Sequence, residues 1–241
     1  MVDTTWVKEA SLTWDREEET VAEAEGRIHD GFLDLVQRAD QRISRINDLF
    51  PDVIPSRPNA QILEIGGGVG YIMEAIGRHL DRTLSKGWRV FDLDIAQHMM
   101  DKAKTRLGDD PRWGFIHYDG MVVPVADASF DFIYSIAALQ HVPKEYVHNL
   151  FYEIRRLLKP GAYCVIELCS YRHILHVNSI GHRWKDYVDT QIGKGGDYWL
   201  WLYSNEELEM VLKHGVGFKN VSIKTWETMI YACVSDADQT T

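Results

Sequence analysis

In "ILEIGGGVG", residues 62–70, one carboxylate at Glu64 is followed by four glycines in five positions. Glycine suits a turn that needs positive φ or lets backbone approach a ligand closely. Between a strand and a helix, such a turn holds a ligand at the carboxyl end of a sheet. The spacing narrows the ligand. Gly66, Gly68 and Gly70 give GxGxG, whereas the dinucleotide fingerprint needs glycine where Tyr71 stands, and the lysine and hydroxyl of a phosphate loop do not follow. Two further acids occupy comparable places: Asp94 closes "WRVFDLD" and Asp119 closes "WGFIHYD". An acid at Asp94 would accept hydrogen bonds from ribose hydroxyls, one at Asp119 from an adenine amino group, and Glu64 would serve an ammonium group. Together they suit a ligand with an amine, a ribose and an adenine, and would suit a pyrophosphate poorly.

The elements that must hold these residues follow from hydrophobic periodicity. "QILEI" reads as a buried strand, "YIMEAIGRHL" as a helix, "WRVFDLD" as a second strand, and a helix runs through Ile95, Met99, Ala103 and Leu107. "WGFIHYD" and "FDFIYSIAAL" are a third and fourth strand. A helix then turns Val147, Leu150, Phe151, Ile154 and Leu158 inward, and "KPGAYCVIEL" makes a turn and a fifth strand. Such alternation predicts a parallel sheet with helices on both faces. Near the end, Ser204 with Glu207 is a capping box opening a helix, and "VGFKNVSIKTWETMIYACV" predicts an antiparallel hairpin. Ahead of the sheet, apolar residues from Val21 to Phe50 step by three and four along one helical stripe, and "FPDVIPSRPNA" ends it with three prolines.

At these residues the chain resembles the class I S-adenosylmethionine-dependent methyltransferases, in their small-molecule branch. "ILEIGGGVG" looks like that family's first motif and "DIAQHMMDKA" its acidic second one. "YDGMVVPVADASFDFIYSIAALQHV" is similar to its next block, and "LLKPGAYCVIE" resembles its turn and fifth strand. The likeness runs through about residues 60–170 and resumes at 204–234. It implies an α/β fold: a Rossmann-like, mostly parallel seven-stranded sheet, a C-terminal antiparallel hairpin and an N-terminal helical extension. Residues 1–55 would be a helical cap or lid, and 56–241 the methyltransferase domain with an aromatic-rich insertion at about 171–203. The implied cofactor is S-adenosyl-L-methionine, with S-adenosyl-L-homocysteine as product. Its expected contacts are Glu64, Gly66, Gly68, Gly70, Asp94, Ile95, Met99, Asp119, Gly120, Met121, Ser135 and Gln140. Two departures stand out: the family usually carries cysteine, serine or alanine at Gly67 and often glycine at Asp92. Asp92 is thus a second candidate for ribose. Ala96 also replaces a common serine or threonine, removing a hydroxyl from a helix start.

The resemblance sets the methyl acceptor beside the end of the fourth strand, where His141 is a candidate general base. A structural role bonding backbone competes with it. Asp131, heading that strand, reads as structural. The insertion carries seven aromatics in 33 residues, against 11% in the whole chain. Of these, Tyr171, Trp184, Tyr198, Trp199 and Trp201 are candidate acceptor-binding residues. Its His173, His176 and His182 lack a tight ligand spacing, so no metal is expected. An Asn/Asp-Pro-Pro-Tyr motif, which would suggest a planar amide or base nitrogen as acceptor, is replaced by "SIAALQHV".

The whole-chain balance fits a small-molecule enzyme. The net charge is −10 over 241 residues, with no Lys/Arg cluster for nucleic acid. No apolar stretch approaches the roughly 18 residues of a membrane span, and the polar, acidic N-terminus does not look like a signal peptide. Cys164, Cys169 and Cys233 show no CxxC spacing and read as buried free thiols, so the expected compartment is the cytoplasm. The reading is a methyltransferase acting on an oxygen or nitrogen of a metabolite, sugar or amine, with a homodimer left open. The alternative is a non-catalytic cofactor-binding or partner-binding module on the same fold.

Overall fold

The structure, a computed structural model, describes residues 35–83, 86–173, 185, 188 and 200–237. Its elements in chain order are α1 (Leu35–Leu49), β1 (Gln61–Ile65), α2 (Tyr71–Arg82), β2 (Arg89–Asp94), α3 (Gln97–Leu107), β3 (Trp113–His117) and β4 (Phe130–Ser135). A 3-10 turn (Leu139–His141), α4 (Lys144–Leu157) and β5 (Leu158–Cys169) follow. Then come α5 (Asn205–Glu209), which runs on into a π turn (Met210–Val216), β6 (Asn220–Trp226) and β7 (Met229–Ser235).

Seven strands form one sheet in the order β3-β2-β1-β4-β5-β7-β6. The first five are mutually parallel, and β7 runs antiparallel to both β5 and β6. The predicted hairpin is present, but its second strand is inserted inside the sheet and its first lies at the edge. Burial explains the order: "MIYACVS" is buried at every residue after the first, while "NVSIKTW" alternates half-buried and exposed. A continuous apolar run belongs between neighbours, and an alternating one at an edge. Leu158, expected on the inward face of α4, instead begins β5.

Two apolar layers sandwich the sheet. On one face α1 and α2 pack Ala39, Ile43, Ile46, Met73, Ile76 and Leu80 against strand residues such as Ile62, Val90, Phe132 and Val165. On the other, α4 and α5 set Leu150, Phe151, Ile154 and Leu208 against Leu63, Ile133 and Ile166. The spacing Ala39, Ile43, Ile46 is the helical stripe expected there; its earlier part, residues 17–34, lies outside the described residues. The three cysteines are free and buried. Ser204 Oγ accepts from the Glu207 N–H at 3.1 Å, one half of the predicted capping box. The Glu207 carboxylate takes Lys144 instead of turning back, at 2.6 and 2.8 Å.

The chain enters β1 over a polar anchor. Asp131, at the head of β4, pairs with Arg57 from the preceding linker and with Lys159 at 2.9 Å, and accepts from the Gln61 N–H at 2.7 Å. One buried carboxylate thus ties the linker, β1 and β5 to β4. Replacing it by alanine strands a backbone donor and two cations at the amino ends of these central strands. Asp131→Ala is expected to lower stability by about 2 kcal/mol, discounted for the partial exposure of both cations. Urea unfolding should show a lower midpoint at unchanged slope, and an unmoved midpoint would show that the anchor adds nothing.

Candidate functional site

The chain order reverses at β1, which lies between β2 and β4, so a crevice opens where the carboxyl ends of β1 and β4 part. The glycine turn fills its floor. Gly66, Gly68 and Gly70 all adopt positive φ, at 76°, 58° and 83°. Space is as tight as torsion: a Cβ on Gly66 would sit 2.4 Å from the Ala138 Cβ. A Cβ on Gly67 would sit 2.7 Å from Asp92 Oδ1, the same oxygen that accepts the Gly67 N–H at 2.9 Å. Glycine at 67 and aspartate at 92, two separate departures in the sequence, are therefore one feature. The carboxylate occupies the volume that a side chain at 67 would need.

Three acids surround this turn. Glu64 and Asp92 are register partners on β1 and β2, and Asp94 lies two residues further along the same face. Glu64 is 1% exposed and accepts from the Tyr134 hydroxyl at 2.9 Å. Burial pushes its pKa up to about 8, against the Tyr134 bond that lowers it, and Asp94 adds repulsion. Asp92 is raised well above the carboxylate range, first by burial and then by Asp94 and Glu64, with the Gly67 bond opposing. Its Oδ2 is buried with no hydrogen-bond partner. Asp94 Oδ1 accepts from the Ala96 N–H at 2.9 Å, so it steadies the start of α3 where Ala96 has no hydroxyl to do so. Without a ligand, Glu64 is held neutral at pH 7. A cation placed here would reverse that preference.

Above the turn lies a cavity of about 350 Å³. Glu64, Gly66, Gly68, Asp94, Ile95, Met99, Gln140 and His141 line it, all expected from the sequence. The other expected residues lie elsewhere. Gly70 caps α2 in left-handed conformation. Ser135 is fully buried, and its hydroxyl donates to the Ile65 carbonyl at 2.9 Å, so it serves the sheet. Asp119 is exposed and turns back on its own loop, accepting from Met121 and Val122 N–H at 2.9 and 3.1 Å. Asp119, Gly120 and Met121 are absent from the cavity wall. So are Tyr171, whose ring lies under the Lys144 ammonium, and Trp201, whose backbone N–H donates to the Gln140 carbonyl at 2.7 Å. Trp184, Tyr198 and Trp199 lie outside the described residues.

Several wall residues were missed. Tyr118 lines the cavity just after β3, its hydroxyl pKa raised by burial and by Asp94. Leu35, Arg38, Ala39 and Arg42 bring α1 onto the cavity. The helical stripe was visible in sequence, but not which neighbour its polar flank would meet. His141 ends the 3-10 turn, with its backbone N–H donated to the Ala138 carbonyl at 3.0 Å.

Residues 63–166 match a family model described as a methyltransferase domain. Among curated relatives, 24-methylenesterol C-methyltransferase 2 of Oryza sativa subsp. japonica is 30% identical over 131 residues, covering 53% of this chain and 34% of that protein. Malonyl-[acyl-carrier protein] O-methyltransferase of Xylella fastidiosa is 31% identical over 136 residues, 56% of this chain and 41% of that one. The chain thus spans about a third to two fifths of these relatives. Among solved structures, a phosphoethanolamine N-methyltransferase 2 of Haemonchus contortus, with phosphomonomethylethanolamine and S-adenosylhomocysteine, superposes with a TM-score of 0.68 at 17% identity. That likeness covers 99% of this chain and 61% of that one, and shows the shared fold. Over residues 63–166 the chain is thus similar to a methyltransferase-domain family, and a solved S-adenosylmethionine-dependent methyltransferase shares its fold.

The residues present fit that family's cofactor. A turn with no room for a Cβ at Gly66, and the carboxylates of Glu64 and Asp94 on the cavity wall, suit a positively charged, hydroxyl-rich ligand. Two outcomes follow. Gly67→Ala should weaken binding of S-adenosylhomocysteine by about tenfold or more, roughly 1.4 kcal/mol, and Asp92→Gly in the same chain should restore most of it. A double-mutant cycle with no coupling would separate the two positions. The second concerns pH. An acid whose folded pKa lies above its unfolded one binds more protons when folded, so stability falls as pH rises from the carboxylate range to about 8. The melting temperature of the unliganded protein should drop across that window, and Glu64→Gln should flatten the drop and be the more stable form at about pH 8.5. Parallel melting profiles would remove Glu64 from this account.

Proposed function

We propose that this chain transfers a methyl group from S-adenosylmethionine to an oxygen or nitrogen of a small-molecule acceptor. The carrying observation is the pair of carboxylates Glu64 and Asp94 beside a side-chain-free turn, on the wall of a cavity whose far side is α1 and the 136–142 segment. When bound, the cofactor supplies a methyl group on a positively charged sulfur, open to in-line displacement by an acceptor lone pair. The chain's own work is then mostly alignment and exclusion of water. Glu64 faces the ammonium group and Asp94 the ribose. Leu35, Ala39 and Ile136 close the apolar part of the wall, and His141 stands where the acceptor's proton would leave.

The acceptor class rests on this cavity more than on relatives. The matched segment is the cofactor half of the chain and covers only 34% and 41% of the sterol and acyl-carrier relatives, so their acceptors do not carry over. A cavity of about 350 Å³ suits a metabolite-sized acceptor beside part of the cofactor. The net charge of −10 and the lack of a basic cluster favour a small molecule over nucleic acid. No helix among the described residues is long and apolar enough to cross a membrane. Three free thiols are in keeping with the cytoplasm.

Calorimetric titration with S-adenosylmethionine, S-adenosylhomocysteine and NAD tests the cofactor. Micromolar binding of the first two without NAD is expected, and Asp94→Asn should weaken it at least tenfold, about 1.4 kcal/mol. Binding of NAD alone overturns the reading. Release of S-adenosylhomocysteine in the presence of a panel of alcohols, phenols and amines tests the transfer, and cofactor binding with no turnover on any of them favours the non-catalytic module. On an active acceptor, a basic role for His141 predicts that His141→Asn lowers turnover by about 10²–10⁴ with cofactor affinity intact. A loss under threefold assigns His141 to the backbone of the 3-10 turn instead.

A further inference from the structure

The cavity is divided by charge. Carboxylates Glu64 and Asp94 lie at the glycine turn, and two guanidinium groups, Arg38 and Arg42, stand one helical turn apart on α1. Arg42 is held from behind. Its Nη1 donates to Glu167 Oε1 at 2.5 Å, and the other oxygen of Glu167 accepts from the Tyr231 hydroxyl. Glu167 is 1% exposed, on β5, and Tyr231 is its register partner on the inserted strand β7. The Arg42 side chain keeps 28% of its surface exposed.

Docking a helix does not require such a network. Apolar residues of similar volume usually serve stability as well as a buried ion pair does, because taking both charges out of water costs about what their attraction returns. What the pair adds is position: a planar group with five N–H donors is fixed at the cavity wall, and Glu167 takes one of them. The fork matches carboxylate and phosphate geometry. Arg38 brings a second guanidinium to the same wall.

We infer that the α1 wall receives an anionic group of the methyl acceptor, a carboxylate or a phosphate, with Arg42 as the contacting residue and Glu167 and Tyr231 as positioning residues. This rests on the reading of the cavity as a methyl-transfer site. The anion end and the cofactor end are then set apart by charge, so the acceptor enters in one orientation, its nucleophilic atom toward the 136–142 segment.

The test is calorimetric titration with benzoate, phenyl phosphate and neutral benzamide, with and without saturating S-adenosylhomocysteine. At least one anion should bind tenfold or more tightly than benzamide. Arg42→Gln should weaken the anions at least fivefold while S-adenosylhomocysteine affinity stays within twofold. Should Arg42→Gln leave Glu167 stranded and the fold lost in a thermal melt, Arg42→Gln/Glu167→Gln removes both charges together and is held to the same expectation. Anions that bind no better than benzamide overturn the inference, as does anion affinity unchanged in both variants. A matching loss of S-adenosylhomocysteine affinity also overturns it, by assigning the guanidinium to the cofactor's own carboxylate. Failure of the wild type to bind S-adenosylhomocysteine sinks the methyltransferase reading alone, and the arms without it still decide whether the wall takes an anion.

Discussion

Three carboxylates on adjacent parallel strands, on one face within two residues of each other and two of them buried, are the constraint from which the site follows. Like charges opposite one another in a sheet repel, and burial removes the water that would screen them. Hydrogen bonds answer in part: Tyr134 and the Met73 backbone to Glu64, the Gly67 N–H to Asp92, the Ala96 N–H to Asp94. These bonds do not cancel burial, so Glu64 and Asp92 keep their protons well above the usual carboxylate range. A floor of this kind is held in readiness for positive charge and hydroxyl donors. The same demand removes side chains from the turn above it, since Asp92 already fills the space beside Gly67.

The sheet order turns that floor into a cavity. Because β1 lies between β2 and β4, the acids at its left and the 136–142 segment at its right face each other across the crevice. Inserting β7 beside β5 has a consequence on the opposite side. It brings Tyr231 against Glu167, and that pair gives Arg42 of α1 its anchor. The first described helix and the last strand of the chain thus meet at one buried carboxylate, and α1 becomes part of the cavity wall as well as of the apolar layer through Ala39, Ile43 and Ile46.

Much of this was legible in the amino-acid order. Every strand of the sheet was read from apolar runs, and the glycine turn with Glu64 and Asp94 from their spacing, because each depends on residues close together in the chain. The contrast between "MIYACVS" and "NVSIKTW" even carried the order of the last two strands, though only the general hairpin was drawn from it. Two of the expected cofactor contacts make bonds within the protein, and they share a setting. Ser135 and Asp119 are polar residues at strand ends, where a ligand and the protein's own backbone compete for the same oxygen; here the Ile65 carbonyl and the Met121 and Val122 N–H groups took them. The aromatic density of 171–203 pointed to an acceptor wall, yet Tyr171 and Trp201 lie off the cavity, and α1 stands on it instead.

By itself the sequence determined what repeats or neighbours can encode: the element order, the parallel sheet, the glycine turn and the acids that precede and follow it. Tertiary structure alone decided which distant groups share a space. Arg42 and Glu167 are 125 residues apart, and no local period links a helix ahead of the first strand to the middle of the fifth. Asp92 and Gly67, 25 apart, read as two unrelated departures until the sheet set them in contact. Periodicity records which face of an element turns inward. Only the packed sheet fixes what that face meets, and it is that meeting which places an acid floor opposite a guanidinium wall.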